Sequence, residues 1–236
     1  MNDSLAVGET LAVDALVFDV YGTLVDTGSI AAECERVFPG RGTNICETWR
    51  SKQLQYTWLL NSMGEYLDFR EVTRRALVFS FRSLGLGCDE GNVSSLLDAY
   101  LHLAPFKEVK QALADLSDSG RRLLVLSNGT PGMLDGVLTN SGLLPHFEAI
   151  MSVEAVGVFK PDPKVYSLAA DRLGLPLNRI GFVSANSWDI AGASSFGFAA
   201  AWLNRTGGVA DEVGGTATIE IDSLSGLAAS VRNSGR

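Results

Sequence analysis

The sequence predicts an α/β fold, a Rossmann-like parallel sheet flanked by helices, with a helical cap inserted after the first core strand. Three observations predict it: short apolar runs that end in polar or glycine turns, amphipathic stretches closed by glycine between them, and a long helical segment that interrupts the alternation. Residues 1–12 contain Asp3 and Glu9 but no Lys or Arg, so the basic start of a signal peptide is missing and a flexible tail is expected. The run A-L-V-F that follows reads as a buried strand ending at Asp19, with a glycine turn at Gly22. From 27 to 105 no strand pattern occurs. Ile45, Trp49, Tyr56, Leu60 and Met63 form one helical stripe, and Val93, Leu96, Leu97, Tyr100 and Leu101 another. This segment is the expected cap, and residues 13–26 with 106–236 are the expected core domain.

Strand grammar returns at 123–127, ahead of Asn128-Gly129, and then at 149–153, 180–184 and 198–203. A last strand near 217–221 and a short final helix follow the loop that contains Gly207, Gly208, Gly214 and Gly215. Between the strands, Leu134, Val137 and Leu138 precede Gly142, and Val165, Leu168, Ala169 and Leu173 precede Gly174, as in helices with a glycine C-terminus. A parallel sheet covered on both faces binds ligands beyond the carboxyl ends of its strands, so polar residues there are the candidates. A cap entering after the first strand overhangs Asp19.

Composition narrows the function. The chain has 236 residues, 19 Lys and Arg against 27 Asp and Glu, and a net charge of −8, which disfavours a nucleic-acid partner. Cys34, Cys46 and Cys88 form no C-x-x-C pair, so a reducing compartment fits better than a disulfide framework. The longest apolar runs fall far short of the roughly 20 residues that span a bilayer, and a cytoplasmic protein without membrane partners is expected. No phosphate-binding glycine motif follows a strand, which leaves no case for a nucleotide cofactor. His102 and His146 lie outside the motifs, so neither a Ser-His-Asp set nor a metal pair is expected.

Four strand-end motifs carry the chemistry. The first is D-V-Y-G-T-L at 19–24, whose Asp19 is either a nucleophile or an acceptor of turn hydrogen bonds, with the turn's N–H groups nearby. The second, L-L-V-L-S-N-G at 123–129, presents Ser127 and Asn128 as short donors for an anion, although Ser-Asn-Gly is also ordinary turn chemistry. In the third, K-P-D-P-K-V-Y at 160–166, Lys160 precedes a helix start that would favour negative charge. It is either an exposed cation or one that faces Asp19 and keeps that carboxylate ionised. The fourth, F-V-S-A-N-S-W-D at 182–189, supplies Ser184, Asn186 and Asp189.

In this order the motifs resemble those of the haloacid dehalogenase superfamily, specifically its L-2-haloacid dehalogenase branch, over roughly residues 15–227. The resemblance implies hydrolytic dehalogenation of a short L-2-haloalkanoic acid with inversion, through an aspartyl ester. Phosphatases of the superfamily carry a second aspartate two residues after the nucleophile, because an alcohol leaving group needs a proton. Tyr21 stands there instead, and a halide leaves without protonation, so neither that acid nor a metal is expected. Asp26 is taken as structural.

The stretch 38–59 resembles the dehalogenase cap and implies that Arg50, with Asn128, receives the halide. A weakly hydrated guanidinium suits a soft anion. The competing expectation is that Arg50 joins Arg36, Arg41, Arg70, Arg74 and Arg75 on a solvated face. By the same resemblance Ser127, backbone N–H groups near Tyr21 and Asn128 hold the substrate carboxylate, and Tyr21, Leu54, Phe69 and Trp188 surround its carbon chain. Asn186 positions the water with Asp189 or Ser184, and Thr23, Lys160 and Tyr166 orient or balance charge around Asp19. A homodimer is implied too. Ser51 departs from the pattern, which commonly has glutamine there. The alternatives are a Mg²⁺-dependent phosphatase and a non-catalytic carboxylate-binding protein.

Overall fold

The computed structural model describes residues 10–232. In chain order the strands and α-helices are β1 (Leu11–Ala12), β2 (Ala15–Phe18), α1 (Ile30–Val37), α2 (Gly42–Met63), α3 (Phe69–Ser83), α4 (Glu90–Ala99), α5 (Val109–Asp118) and β3 (Arg122–Ser127). They continue as α6 (Pro131–Asn140), β4 (Ala149–Ser152), α7 (Pro163–Leu173), β5 (Ile180–Ser184), α8 (Ser187–Phe196), β6 (Ala199–Leu203), β7 (Ile219–Ile221), α9 (Leu227–Ser230) and β8 (Val231–Arg232). Six strands form one parallel sheet in the order β4-β3-β2-β5-β6-β7. The central strands β2 and β5 are buried throughout, as a sheet covered on both faces requires. Helix starts are set locally: Asp68, Asp89, Thr130 and Asp162 accept N–H bonds in the first turns of α3, α4, α6 and α7, each cap worth about 1 kcal/mol.

Phe18 pairs with Val125 on one side and Val183 on the other, so Asp19, Ser127 and Ser184 emerge at the same carboxyl edge. Helices α1–α4 lie between β2 and α5. The chain leaves and returns through adjacent segments, where Asp26 N donates to Ala104 O (2.8 Å) and Phe106 N donates to Leu24 O (3.2 Å).

Two expectations need correction. Leu11 and Ala12 are not tail: β1 pairs with β8, and Leu11 is buried against Gly181, where a Cβ would meet its side chain at 3.0 Å. Residues 1–9 of the expected tail lie outside the described residues. The apolar stripe of α2 also differs from its buried face, which is Ile45, Trp49, Gln53 and Thr57 at four-residue steps. Tyr56, Leu60 and Met63 instead border an apolar groove with Leu67 and Val72, and Met63 is 64% exposed. Side chains four apart on a helix overlie one another, and α3 packs along that seam.

Candidate active site

Asp19 leaves the end of β2 with little exposure and receives three side-chain donors. Lys160 Nζ reaches Oδ1 at 3.1 Å, while Thr23 Oγ1 and Asn186 Nδ2 each reach Oδ2 at 2.9 Å. Lys160 is 1% exposed, and its Nζ also donates to Asp189 Oδ2 at 2.9 Å. Burial pulls the ammonium pKa down, but the Asp189 and Asp19 carboxylates outweigh it and hold it above the ordinary lysine value. Asp189 has no exposed surface, and burial raises its pKa to about 6 against the opposing pull of Lys160. Tyr166 Oη donates to Asp189 Oδ1 at 2.8 Å, and burial beside that carboxylate keeps the phenol protonated. Lys160 is therefore no exposed cation but a bridge between two carboxylates. Among the described residues no three His, Cys, Asp or Glu side chains converge to hold a metal ion. His102 and His146 both sit on short 3-10 turns away from this cluster.

The amides of residues 22–25, in the turn after Asp19, are engaged within that turn. Gly22 N donates to Val25 O and Thr23 N to Val20 O, so the Thr23 hydroxyl, rather than those N–H groups, reaches Asp19. Thr23 Oγ1 in turn accepts from Ala185 N at 2.9 Å, and Ser184 Oγ accepts from Asn186 N at 3.1 Å. Arg205, which the motifs did not single out, fixes the same turn by donating to Gly22 O (3.2 Å) and Thr23 O (2.9 Å). It also pairs with Glu108 and lies over Phe106. Asp26 caps the next 3-10 turn, the structural role expected of it.

Arg50 projects from α2 into this region. Its Nη1 donates to Gln53 Oε1 at 2.8 Å, and its Nη2 lies 3.4 Å from Tyr21 O and 3.5 Å from Asn186 Oδ1. All three are neutral oxygens, and Arg50 forms no ion pair among the described residues. By contrast Arg36, Arg70, Arg74 and Arg75 form exposed ion pairs with Glu33, Asp98, Glu71 and Glu90. Gln53 lies in the stretch 38–59 but was not singled out: it stands four residues beyond Trp49 on the same helical face, and its polarity gave no sign of burial.

Tyr21 packs its ring on Phe69 (5.9 Å) and Tyr100 (5.5 Å), and its buried hydroxyl has no hydrogen-bond partner among the described residues. Burial drives its pKa far above the ordinary phenol value, so it stays neutral. Gly129 leaves room for this ring, since a Cβ there would lie 3.1 Å from it. Ser127 is buried and accepts from Gly129 N, and Asn128 Oδ1 accepts from Lys160 N at 3.1 Å. Leu54 is half-buried one turn beyond Arg50, and exposed Ser51 follows Arg50 directly. Half-buried Trp188 meets Trp58 edge to face at 5.5 Å. With Asn61, Pro161, Asp211 and Val213 these tryptophans line a cavity of about 560 Å³, which neither Lys160 nor Asp189 lines. Another cavity of about 730 Å³ runs along edge strand β4 and touches none of these residues.

Gly192 was also missed, although a glycine inside a helical pattern signals close approach. A Cβ there would lie 2.5 Å from Tyr166 Oη and 2.6 Å from Pro161 Cβ. Gly192→Ala is expected to cost about 1–3 kcal/mol, as overpacking does, and to lower activity by displacing the partners of Asp189 and Lys160. Thermal denaturation together with turnover checks this; unchanged values for both would mean that the segment yields freely.

A family model described as haloacid dehalogenase-like hydrolase matches residues 13–197. The chain is 47% identical over 212 residues to the (S)-2-haloacid dehalogenase of Pseudomonas sp. (strain YL), covering 90% of this chain and 91% of the relative. It is 43% identical to haloacetate dehalogenase H-2 of Moraxella sp. (strain B), covering 86% and 91%. The solved L-2-haloacid dehalogenase of Xanthobacter autotrophicus, with chloropropionic acid covalently bound, superposes with a TM-score of 0.88 at 36% identity, covering 92% and 97%.

Proposed function

The chain belongs to the haloacid dehalogenase-like hydrolases, and on that premise we propose that it hydrolyses short-chain L-2-haloalkanoic acids to D-2-hydroxy acids and halide. The observation that carries this reading is Arg50. A half-buried guanidinium bonded to neutral oxygens, next to the partner of Asp19, attracts an anion even in a chain of net charge −8. Lys160 cannot serve that purpose, because two carboxylates take up its charge.

Asn128 Oδ1 is engaged by Lys160 N and Ser127 Oγ by Gly129 N, which leaves the Asn128 amide group and the Ser127 hydroxyl proton to donate to the substrate carboxylate. Tyr21, Leu54, Phe69 and Trp188 are the apolar surround of its carbon chain. An Asp19 oxygen then attacks C2 opposite the C–X bond, whose electron pair departs with the halide toward Arg50, and the carbon inverts. Water next adds to Cγ of the Asp19 ester, and the Cγ–O bond to the product breaks. Negative charge reaching Oδ2 in that step meets the Thr23 and Asn186 donors. One water is consumed, and hydroxy acid, halide and a proton are released. The burial of Asp189 between Lys160 and Tyr166 favours its holding the lysine over its activating the water. A halide needs no acid, so neutral Tyr21 is compatible with this step where an alcohol leaving group would be stranded.

No helix among the described residues is long and apolar enough to cross a membrane. The proposal includes a cytoplasmic homodimer, supported by the unpaired cysteines and by exposed Leu59, Met63 and Phe79 on α2 and α3. The direct test is halide release from separate L and D enantiomers of 2-chloropropionate in excess chelator, with a phosphate ester plus Mg²⁺ run alongside. Release from the L form alone is expected; metal-dependent phosphate release without halide would overturn the reading.

A further inference from the structure

We propose that Gln53 is the positioning residue that aims Arg50 at the departing halide, with Thr73 setting which end of the Gln53 amide faces the guanidinium. This rests on Arg50 being the halide acceptor. Gln53 is fully buried, on the face of α2 that packs against α3. Its Oε1 accepts from Arg50 Nη1 at 2.8 Å and from Tyr100 Oη at 3.3 Å, and its Nε2 donates to Thr73 Oγ1 at 2.7 Å.

The polarity of this chain of bonds is forced from one end. Thr73 Oγ1 donates its only proton to Phe69 O, one turn back on α3, at 2.6 Å. A carbonyl oxygen can only accept, so that proton is committed and Oγ1 must act as an acceptor toward Gln53. The Gln53 group facing Thr73 is therefore NH2, and the group facing Arg50 and Tyr100 is the oxygen. Turned the other way, the amide would present N–H groups to the Arg50 guanidinium, which can only donate, and its oxygen to Thr73 Oγ1, whose proton is already committed, which costs more than an ordinary hydrogen bond gains. Trp49 Nε1, donating to Thr73 O at 2.8 Å, fastens the same turn of α3 to α2.

Arg50 needs such a hold because its other two contacts, at 3.4 and 3.5 Å, are long. The 2.8 Å bond to Gln53 is the one that fixes the guanidinium plane. It does so with a neutral acceptor, which orients the cation without cancelling its charge. A glutamate in this place would orient it equally well and neutralise it.

The test compares Gln53→Met, Gln53→Glu and Arg50→Lys with the wild type. Single-turnover halide release is followed for L-2-chloro- and L-2-bromopropionate, together with product inhibition by chloride. Chloride is the poorer leaving group and draws more on Arg50. Gln53→Met is expected to slow chloride release about tenfold more than bromide release, the scale of one charge-assisted bond. Gln53→Glu keeps the volume; Thr73 Oγ1 can face its second oxygen only by giving up the bond to Phe69 O, a cost of about 1 kcal/mol that the new ion pair with Arg50 offsets, so it should fold even if the methionine variant does not. It is expected to weaken chloride inhibition at least as much.

Equal slowing of both substrates with unchanged chloride inhibition, or no slowing, would reduce Gln53 to a packing residue. If Arg50→Lys also leaves the chloride-to-bromide ratio unchanged, the fault lies in the Arg50 assignment itself. A changed ratio in Arg50→Lys alone overturns only the role of Gln53.

Discussion

Asp19→Asn is expected to abolish halide release, by at least about 10⁴-fold, because an amide oxygen is a poor nucleophile and the bond to carbon would form on a neutral group. The substitution is nearly isosteric, so the fold should survive. It also places an N–H group against either Lys160 Nζ or the Thr23 and Asn186 donors, all of which now face acceptor oxygens. Two measurements separate loss of the nucleophile from loss of order. The melting temperature should fall by only a few degrees, whereas the covalent adduct of mass substrate minus halide, trapped in the wild type, should be absent. Wild-type single turnover in isotopically labelled water should leave the label in Asp19 and not in the product, because water attacks Cγ while the product carries away an oxygen of Asp19. Label in the product hydroxyl would mean that water attacks the substrate carbon directly.

Lys160→Met is expected to remove activity and to destabilise the protein by about 3–5 kcal/mol at pH 8, the cost of stripping the partner from buried charges. The ammonium bridges Asp19 and Asp189 at 3.1 and 2.9 Å, and Met fills most of the volume without the charge. In the wild type, the stabilisation from Lys160 is fully present below its unfolded pKa and is lost only as pH rises through its elevated folded value, well into the alkaline range. Asp189 acts in the same sense, over a lower pH range. Its folded pKa of about 6 lies above the ordinary carboxylate value, so the folded form binds the proton more tightly, and stability from this group falls as pH rises toward 6.

Without Lys160, two carboxylates face each other in a buried site. Asp189, already raised by burial, would lose the opposing pull of Lys160 and resist ionisation more strongly, and the penalty should continue to grow above pH 6. The variant should therefore recover stability as the solution is acidified, and denaturant titrations from pH 5 to 9 would show its deficit widening with pH. A deficit independent of pH would mean that methionine disturbs packing and that the bridge contributes little.

Much of this site was legible in the chain because its residues sit where strands end. A buried parallel strand has few permitted compositions, so the apolar runs, closed by polar residues such as Asp19, Ser127 and Ser184, define most of the sheet and its carboxyl edge. The motifs brought Asp19, Ser127 and Asn186 to one edge without coordinates, and left Lys160 open between solvent and Asp19. The helical segment from residue 27 was equally visible, because its apolar periodicity changes from the pattern of strands to that of helices.

Pairings between distant elements were decided only in three dimensions. Whether Lys160 met solvent or Asp19 depended on the packing of α7 against α8, where Gly192 admits Tyr166 and Pro161. Leu11 looked like tail because a two-residue strand carries no periodicity, and its partner Val231 is almost the whole chain away. The α2 stripe misled because Gln53 and Thr57 are polar, and polarity at a buried position makes sense only once its partners on α3 and Arg50 are known. Local pattern determined the strands, their polar ends and the helical insertion, since those follow from each residue's own solvation and backbone preference. The direction of each hydrogen bond, the charge left on Arg50 and the burial of Lys160 were decided by tertiary structure, because each is a balance among groups that no local stretch of sequence contains.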